Sequence, residues 1–181
     1  YYKNGTHFDI ILKDVLGNVL VNKEVKITIN GVTYKKITDT NGKARLSINL
    51  LPGVYNITTS FEDDGNYVKS LNTNKIVVLS KIITKFVDNN KFIVKLVNDD
   101  GTPKTNASLA IIANGVQYNR ITNSSGEARL NVRLNPSNYI FTVTDGLEVV
   151  SSPVHVLSTI RTSDISMFYK DGTRFAAKLY D

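Results

Sequence analysis

Apolar residues recur at every second position in short runs along this chain. Phe8, Ile10 and Leu12 form one run and Val25, Ile27 and Ile29 another, with Asp9, Lys26 and Thr28 between them. Period two puts alternate side chains on opposite faces, which is the signature of a half-buried β-strand. No window of helical length carries a 3.6-residue period, and β-branched residues dominate the apolar positions, so no long helix is expected. Turn residues separate the runs at Leu16-Gly17-Asn18, Asn30-Gly31, Thr40-Asn41-Gly42 and Leu51-Pro52-Gly53. The Asn30-Gly31 and Asn114-Gly115 pairs are expected to close tight hairpins, because both residues tolerate the positive φ such turns need.

Internal repetition fixes the architecture. Residues 30–55 align without gaps on residues 114–139, thirteen of the 26 positions being identical. The register extends upstream through Phe8/Phe92, Leu12/Leu96 and Gly17/Gly101. A third copy opens near Met167, matching at Tyr2/Tyr169, Lys3/Lys170, Gly5/Gly172, Thr6/Thr173, Phe8/Phe175, Leu12/Leu179 and Asp14/Asp181. The expected division is residues 1–82 for one complete repeat, 83–161 for a second, and 162–181 for the opening strand segment of a third. A lone strand cannot bury its own apolar face, so 162–181 is expected to dock on a neighbour or be disordered. About seven short strands per unit of roughly 80 residues point to tandem immunoglobulin-like Greek-key β-sandwiches in an all-β chain, with a barrel as the weaker alternative.

Composition narrows the function classes. Apolar residues make up 41%, charged residues 21%, and nine Tyr are scattered along the chain, which favours folded domains over disorder. The net charge is +6, but the densest basic groups are pairs, Lys35-Lys36 and Lys81 with Lys85, within alternating strands. They read as solvated strand faces rather than a nucleic-acid stripe, leaving a weak attraction to anionic polymers. With no Cys, disulfides and thiolate metal sites are excluded. No apolar run is long enough to span a bilayer and no basic leader precedes one, so the chain reads as a stretch from the middle of a longer protein, with no membrane insertion in this stretch.

Pro52-Gly53-Val54-Tyr55 recurs as Pro136-Ser137-Asn138-Tyr139, each Tyr entering a strand directly after a turn. Tyr55 and Tyr139 are therefore expected to be structural tyrosine corners. The segment at 38–59, TDTNGKARLSINLLPGVYNITT, resembles bacterial-type immunoglobulin-like (Big) repeats of large surface proteins. The likeness is closest to adhesin-like proteins of methanogenic archaea, whose units open on a segment like Phe168 to Phe175. The resemblance implies a cell-surface, extracellular stalk of archaeal origin. Its partners would be neighbouring immunoglobulin-like repeats of the same chain and, by attachment, a host or microbial surface protein or glycan.

Candidate chemistry is sparse. The chain has only His7 and His155, at positions that hold Lys91 and Val77 in the other copy, and it has no Gly-x-Ser-x-Gly elbow, so no catalytic site and no cofactor are expected. Asp39-Thr40-Asn41-Gly42 and Asp63-Asp64-Gly65-Asn66 cluster oxygen ligands but lack the alternating spacing of a calcium loop, and read as solvated turns rather than metal sites. An isopeptide crosslink would need a Lys on a core strand. Lys95 and Lys178 share a matched position, but the first repeat has Ile11 there, which argues against one. Sequons at Asn4, Asn56, Asn106 and Asn123 are candidate N-glycosylation sites and fit an extracellular chain. The expected role is that of structural and interaction repeats of a cell-surface adhesin-like protein, acting as stalk and in attachment. The alternative is a carbohydrate-binding or accessory module of a secreted multidomain hydrolase.

Overall fold

The computed structural model describes residues 1–170 and 172–179, and the expected Asp14/Asp181 match lies outside the described residues. The strands are β1 (His7–Ile11), β2 (Glu24–Ile29), β3 (Val32–Ile37), β4 (Lys43–Ser47), β5 (Gly53–Phe61), β6 (Ser70–Val78), β7 (Ile82–Val87), β8 (Lys91–Leu96), β9 (Ser108–Ala113), β10 (Val116–Ile121), β11 (Glu127–Asn131), β12 (Ser137–Thr144), β13 (Val149–Val156), β14 (Ile160–Thr162) and β15 (Ala177–Leu179). All pairings are antiparallel, and the described residues contain no helix. The protein is all-β, as the period-two pattern requires.

Two compact units emerge, one of residues 1–81 with 97–102 and one of residues 82–96 with 103–181. In the second unit a three-stranded sheet, β11-β8-β7, faces a four-stranded sheet, β10-β9-β12-β13. The chain crosses from one sheet to the other after β8, returns for β11 and crosses again to β12, the Greek-key path of an immunoglobulin-like sandwich. Its core is one cluster of fourteen buried residues. At its centre Phe92 and Phe141 meet edge to face, ring centroids 5.0 Å apart at 70°.

The first unit repeats this plan with one strand fewer. Its sheets are β1-β4 and β3-β2-β5-β6. Register carries over without slippage: Ile11 faces Lys43 as Lys95 faces Glu127, and Ile29 faces Val32 as Ala113 faces Val116. Among the described residues, however, nothing in the first unit takes the place that β7 holds beside β8. The first unit's core is correspondingly split into two clusters, one around Ile27, Ile29, Leu46 and Ile57, the other around Val25, Ala44 and Phe61.

In the opening of the third repeat, β14 and β15 pair as a hairpin. Ile160 faces Leu179 and Thr162 faces Ala177, as Ile82 faces Leu96 and Thr84 faces Val94. Lys3 and Gly5, at φ 51° and 77°, are matched by Lys170 and Gly172, at 58° and 80°. The turn leading into this strand thus keeps its backbone shape between copies. Three residues separate β6 from β7, and three separate β13 from β14.

The short hairpins follow their turn chemistry. Asn30-Gly31 has φ 49° and 76°, and Asn114-Gly115 has 49° and 77°. Two consecutive left-handed residues between directly facing strand ends, Ile29 to Val32 and Ala113 to Val116, define the type I′ turn whose twist suits a hairpin.

Candidate functional site

The loops that lead from one sheet to the other are held by a buried threonine in each unit. The Thr38 hydroxyl donates to the Leu20 carbonyl at 2.7 Å and accepts the Lys23 N–H at 2.9 Å. Thr122 repeats this with the Lys104 carbonyl and the Ala107 N–H, at 2.7 and 2.9 Å. Both are nearly inaccessible, at 3% and 2% exposure. Each hydroxyl satisfies two backbone groups that burial would otherwise leave unpaired. The sequence offered no sign of this beyond an identical Thr in two aligned segments, since the partners lie 15 to 18 residues away.

Next to each clasp, a glycine lets two strands close. Gly42 accepts from the Leu12 N–H and Gly126 from the Leu96 N–H, at 2.9 and 2.8 Å. Their φ angles are 68° and 73°, and a Cβ would fall 2.8 Å from Val19 Cβ in the first case and 2.7 Å from the Leu96 carbonyl oxygen in the second. Only glycine fits both the backbone shape and the space.

The oxygen-rich loops considered for metal serve as turns. Asp39 Oδ1 accepts the N–H groups of Asn41 and Lys43, and Asn123 Oδ1 does the same for Ser125 and Glu127. In the late hairpin, Asp64 accepts from Asn66 and Tyr67 and pairs with Lys23, whose ammonium lies 5.1 Å from the Tyr67 ring centroid. Asp145 accepts from Leu147 and Glu148 and lies 3.4 Å from Lys104. Burial pushes the Asp145 carboxyl up, but the Glu148 and Leu147 N–H groups and the Lys104 charge outweigh it and hold it below its usual range. Asp64 is lowered chiefly by Lys23. Among the described residues no three His, Cys, Asp or Glu side chains come together as a metal cluster would require.

Other candidate residues are likewise dispersed. His7 lies on β1 in the first unit, and His155 on β13 in the second pairs through Nδ1 with Asn138 Oδ1. Lys95 alternates with buried Val94 and Leu96, which places it on the outward face of β8, opposite Glu127. Asp9 on β1 takes the Arg45 guanidinium through both oxygens, at 2.7 and 3.1 Å, and the Lys43 ammonium at 2.7 Å. The Arg45 hydrogen bonds, then Lys43, hold its carboxyl far below the ordinary range. The second repeat has Ile93 there, so this charged cluster belongs to the first unit alone.

The sequon asparagines occupy different settings. Asn4 Oδ1 accepts from the N–H and the hydroxyl of its own Thr6, at 3.1 and 2.7 Å. Asn123 is engaged in the turn just described, Asn106 sits exposed at φ 51°, and Asn56 is exposed on β5. The Tyr55 hydroxyl donates to the Leu51 carbonyl at 2.8 Å and Tyr139 to Asn135 at 2.9 Å, each four residues upstream, with the rings against the core clusters. These two tyrosines anchor the turn before the longest strands.

The most distinctive surface feature is a groove of about 450 Å³ in the first unit, between β1 and β6. Phe8, Ile10, Leu12, Phe61 and Ile76 are among its apolar lining, and Asp9, Thr59, Ser70, Asn72, Asn74 and Lys75 bring polar and charged groups to it. The Thr59 hydroxyl oxygen is buried there without a hydrogen-bond partner. Phe8, Ile10 and Leu12 are half-buried, whereas their counterparts Phe92, Val94 and Leu96 are 1%, 0% and 1% exposed. All six positions carry large apolar side chains; what differs is the strand lying beside them.

No family model matches the chain, and no curated protein matches it. Similar solved structures include a Ca2+-stabilised adhesin with which an Antarctic bacterium reaches out and binds ice, at 12% identity and a TM-score of 0.31 over 87% of this chain and 46% of that one. Domains 4 and 5 of the S-layer protein SbsC share 14% identity at a TM-score of 0.28, over 82% of this chain and 80% of theirs. The Bacteroides ovatus mixed-linkage glucan utilisation protein SGBP-B, solved with a mixed-linkage heptasaccharide, shares 14% identity at 0.32, over 84% of this chain and 40% of that one. Likenesses at this level assign neither a family nor an activity to the chain.

Proposed function

We propose that this chain is a stretch of a cell-surface stalk, in which one non-catalytic sandwich is repeated to give length and to carry an attachment function. The observation that carries this reading is the fidelity of the repeat. Strand register, the threonine clasp, the strand-closing glycine and the tyrosine anchor recur at an offset of 84 residues, as in Thr38/Thr122, Gly42/Gly126 and Tyr55/Tyr139. Every one of these features stabilises the sandwich or its connections, and none presents reactive groups to a ligand. Repetition of a self-sufficient unit with three-residue connections suits a load-bearing chain, in which each sandwich holds its shape independently. The resemblance to archaeal adhesin-like repeats and the sequons agree with an outward-facing location.

Two measurements test the proposal. Protease shaving or surface biotinylation of intact source cells should release or label these repeats; a protein found only inside the cell would sink the stalk reading. In single-molecule pulling, the second unit should give one discrete unfolding event with a contour gain of roughly 20–25 nm, from about 75 residues at 3.3–3.6 Å each less the folded span. Gradual extension with no discrete event would count against a load-bearing role.

A further inference from the structure

Strand pairing gathers in the second unit a set of charges that are scattered in the sequence. On the outward side of the β11-β8-β7 sheet, Ile93 faces Lys85 on β7 and Arg129 on β11, and Lys91 and Lys95 lie two residues to either side of it on β8. With strands about 5 Å apart and a rise of about 3.4 Å per residue, these four cations surround one isoleucine on a patch of roughly 14 by 10 Å. Asp88 pairs with Lys91 and Glu127 with Arg129, whereas Lys85 and Lys95 make no ion pair among the described residues. The first unit has Asp9 at the central position, and there the carboxylate takes up Lys43 and Arg45. The opposite sheet of the second unit carries no Asp, Glu, Lys or Arg at its outward positions, which include Ile112, Thr142 and Ser151. Basic charge is thus concentrated on one face of this sandwich.

We propose that this face binds a carboxylate-bearing polysaccharide, laid as an extended chain across the sheet over Ile93. Charge complementarity selects an anionic partner. Lys85 and Lys95 present uncompensated ammonium groups, and Arg129, which meets Glu127 through one nitrogen at 3.1 Å, keeps donors for a second carboxylate. The sheet surface is open, so a long chain can continue past it on both sides. Ile93 at the centre offers an apolar seat to the C–H face of a sugar ring. No aromatic side chain stands among the outward residues of these three strands, so the stacking by which single-stranded nucleic acids are held is missing. Contacts of exposed charges are screened, so one unit binds weakly and less so as salt rises. The inference gives a ligand class to the attachment part of the proposed role and rests on that reading for its biological place. Binding itself is tested on the chain alone, so its failure leaves the stalk reading standing.

The test titrates the full chain with polygalacturonate at low ionic strength, with dextran as the neutral polymer. Saturable binding that weakens as salt is raised is expected for polygalacturonate, and none for dextran. Lys85→Gln combined with Lys95→Gln should weaken it roughly fivefold or more. Ile93→Asp, which restores the first unit's central carboxylate, should act in the same direction. Lys35→Gln combined with Lys75→Gln removes the same charge from the four-stranded sheet of the first unit and should change the affinity by less than about twofold. Urea midpoints measured alongside show that each variant is folded. Equal losses from the two lysine pairs, or no binding by the unaltered chain, overturn the proposal. Tighter binding of poly-dT than of polygalacturonate would assign the face to nucleic acid, and equal binding of polyglutamate would reduce it to unselective charge attraction; either result also refutes it.

Discussion

Replacing Gly126 with alanine should be among the most damaging single-methyl additions in the second unit. At φ 73° any L-residue pays a left-handed backbone penalty, on the order of 1–2 kcal/mol. The new Cβ would also lie 2.7 Å from the Leu96 carbonyl oxygen and 3.1 Å from the Lys104 amide nitrogen and Pro103 Cα. All three are backbone atoms of the connection clasped by Thr122, so relief requires moving the chain, at about 1–3 kcal/mol by analogy with overpacked cores. The sum is roughly 2–5 kcal/mol. At Gly115, with φ 77°, an added Cβ would have no heavy atom within 4 Å, so Gly115→Ala isolates the backbone cost at about 1–2 kcal/mol. In calorimetry the second unit's transition should fall by about 10–40 °C for Gly126→Ala and by about half that or less for Gly115→Ala, at 4–8 °C per kcal/mol for a domain of this size. Equal shifts would show that steric closure at Gly126 contributes nothing and that φ alone governs both sites.

Three further outcomes follow from the packing and the charges. Thr122→Val, which keeps the shape but strips the hydroxyl from the Lys104 carbonyl and the Ala107 N–H, should cost about 1–3 kcal/mol in urea unfolding, and Thr122→Ser should recover most of it; a neutral valine would refute the clasp. Phe92→Ala should destabilise its unit by about 3–5 kcal/mol, and Phe8→Ala clearly less, because Phe92 is enclosed and Phe8 only half so; equal losses would contradict the open edge at β1. Asp9, Asp14, Asp39, Asp64, Asp100 and Asp145 all titrate below their usual range when folded, so the unfolded chain binds protons more readily and stability should fall as pH drops from about 4, while staying level between about 5 and 7. Denaturant midpoints that rise on acidification would reverse the sign and refute it.

Much of the fold was legible in the sequence because its determinants are local. Asn30-Gly31 and Asn114-Gly115 announce their hairpins by backbone preference alone, and the alternation Val25-Ile27-Ile29 names the buried face before any partner is known. The groove was harder to read. Phe8 and Phe92 are the same residue at the same register, and only the neighbouring strand decides which is enclosed. The threonine clasp was obscured because a hydroxyl's value depends on backbone groups brought to it by tertiary folding.

The late hairpin is where the two copies part. Eight residues join β5 to β6 and four join β12 to β13, yet the strands on either side keep their pairing, Ile57 with Asn74 and Phe141 with Ser152. Each loop is folded on itself by an aspartate that gathers two N–H groups, Asp64 in one copy and Asp145 in the other. Length at this point is thus free of the sandwich's register, and the hairpin tip is a natural port for foreign sequence. A peptide epitope or an affinity tag inserted between Gly65 and Asn66 should be displayed without disturbing the scaffold beneath it.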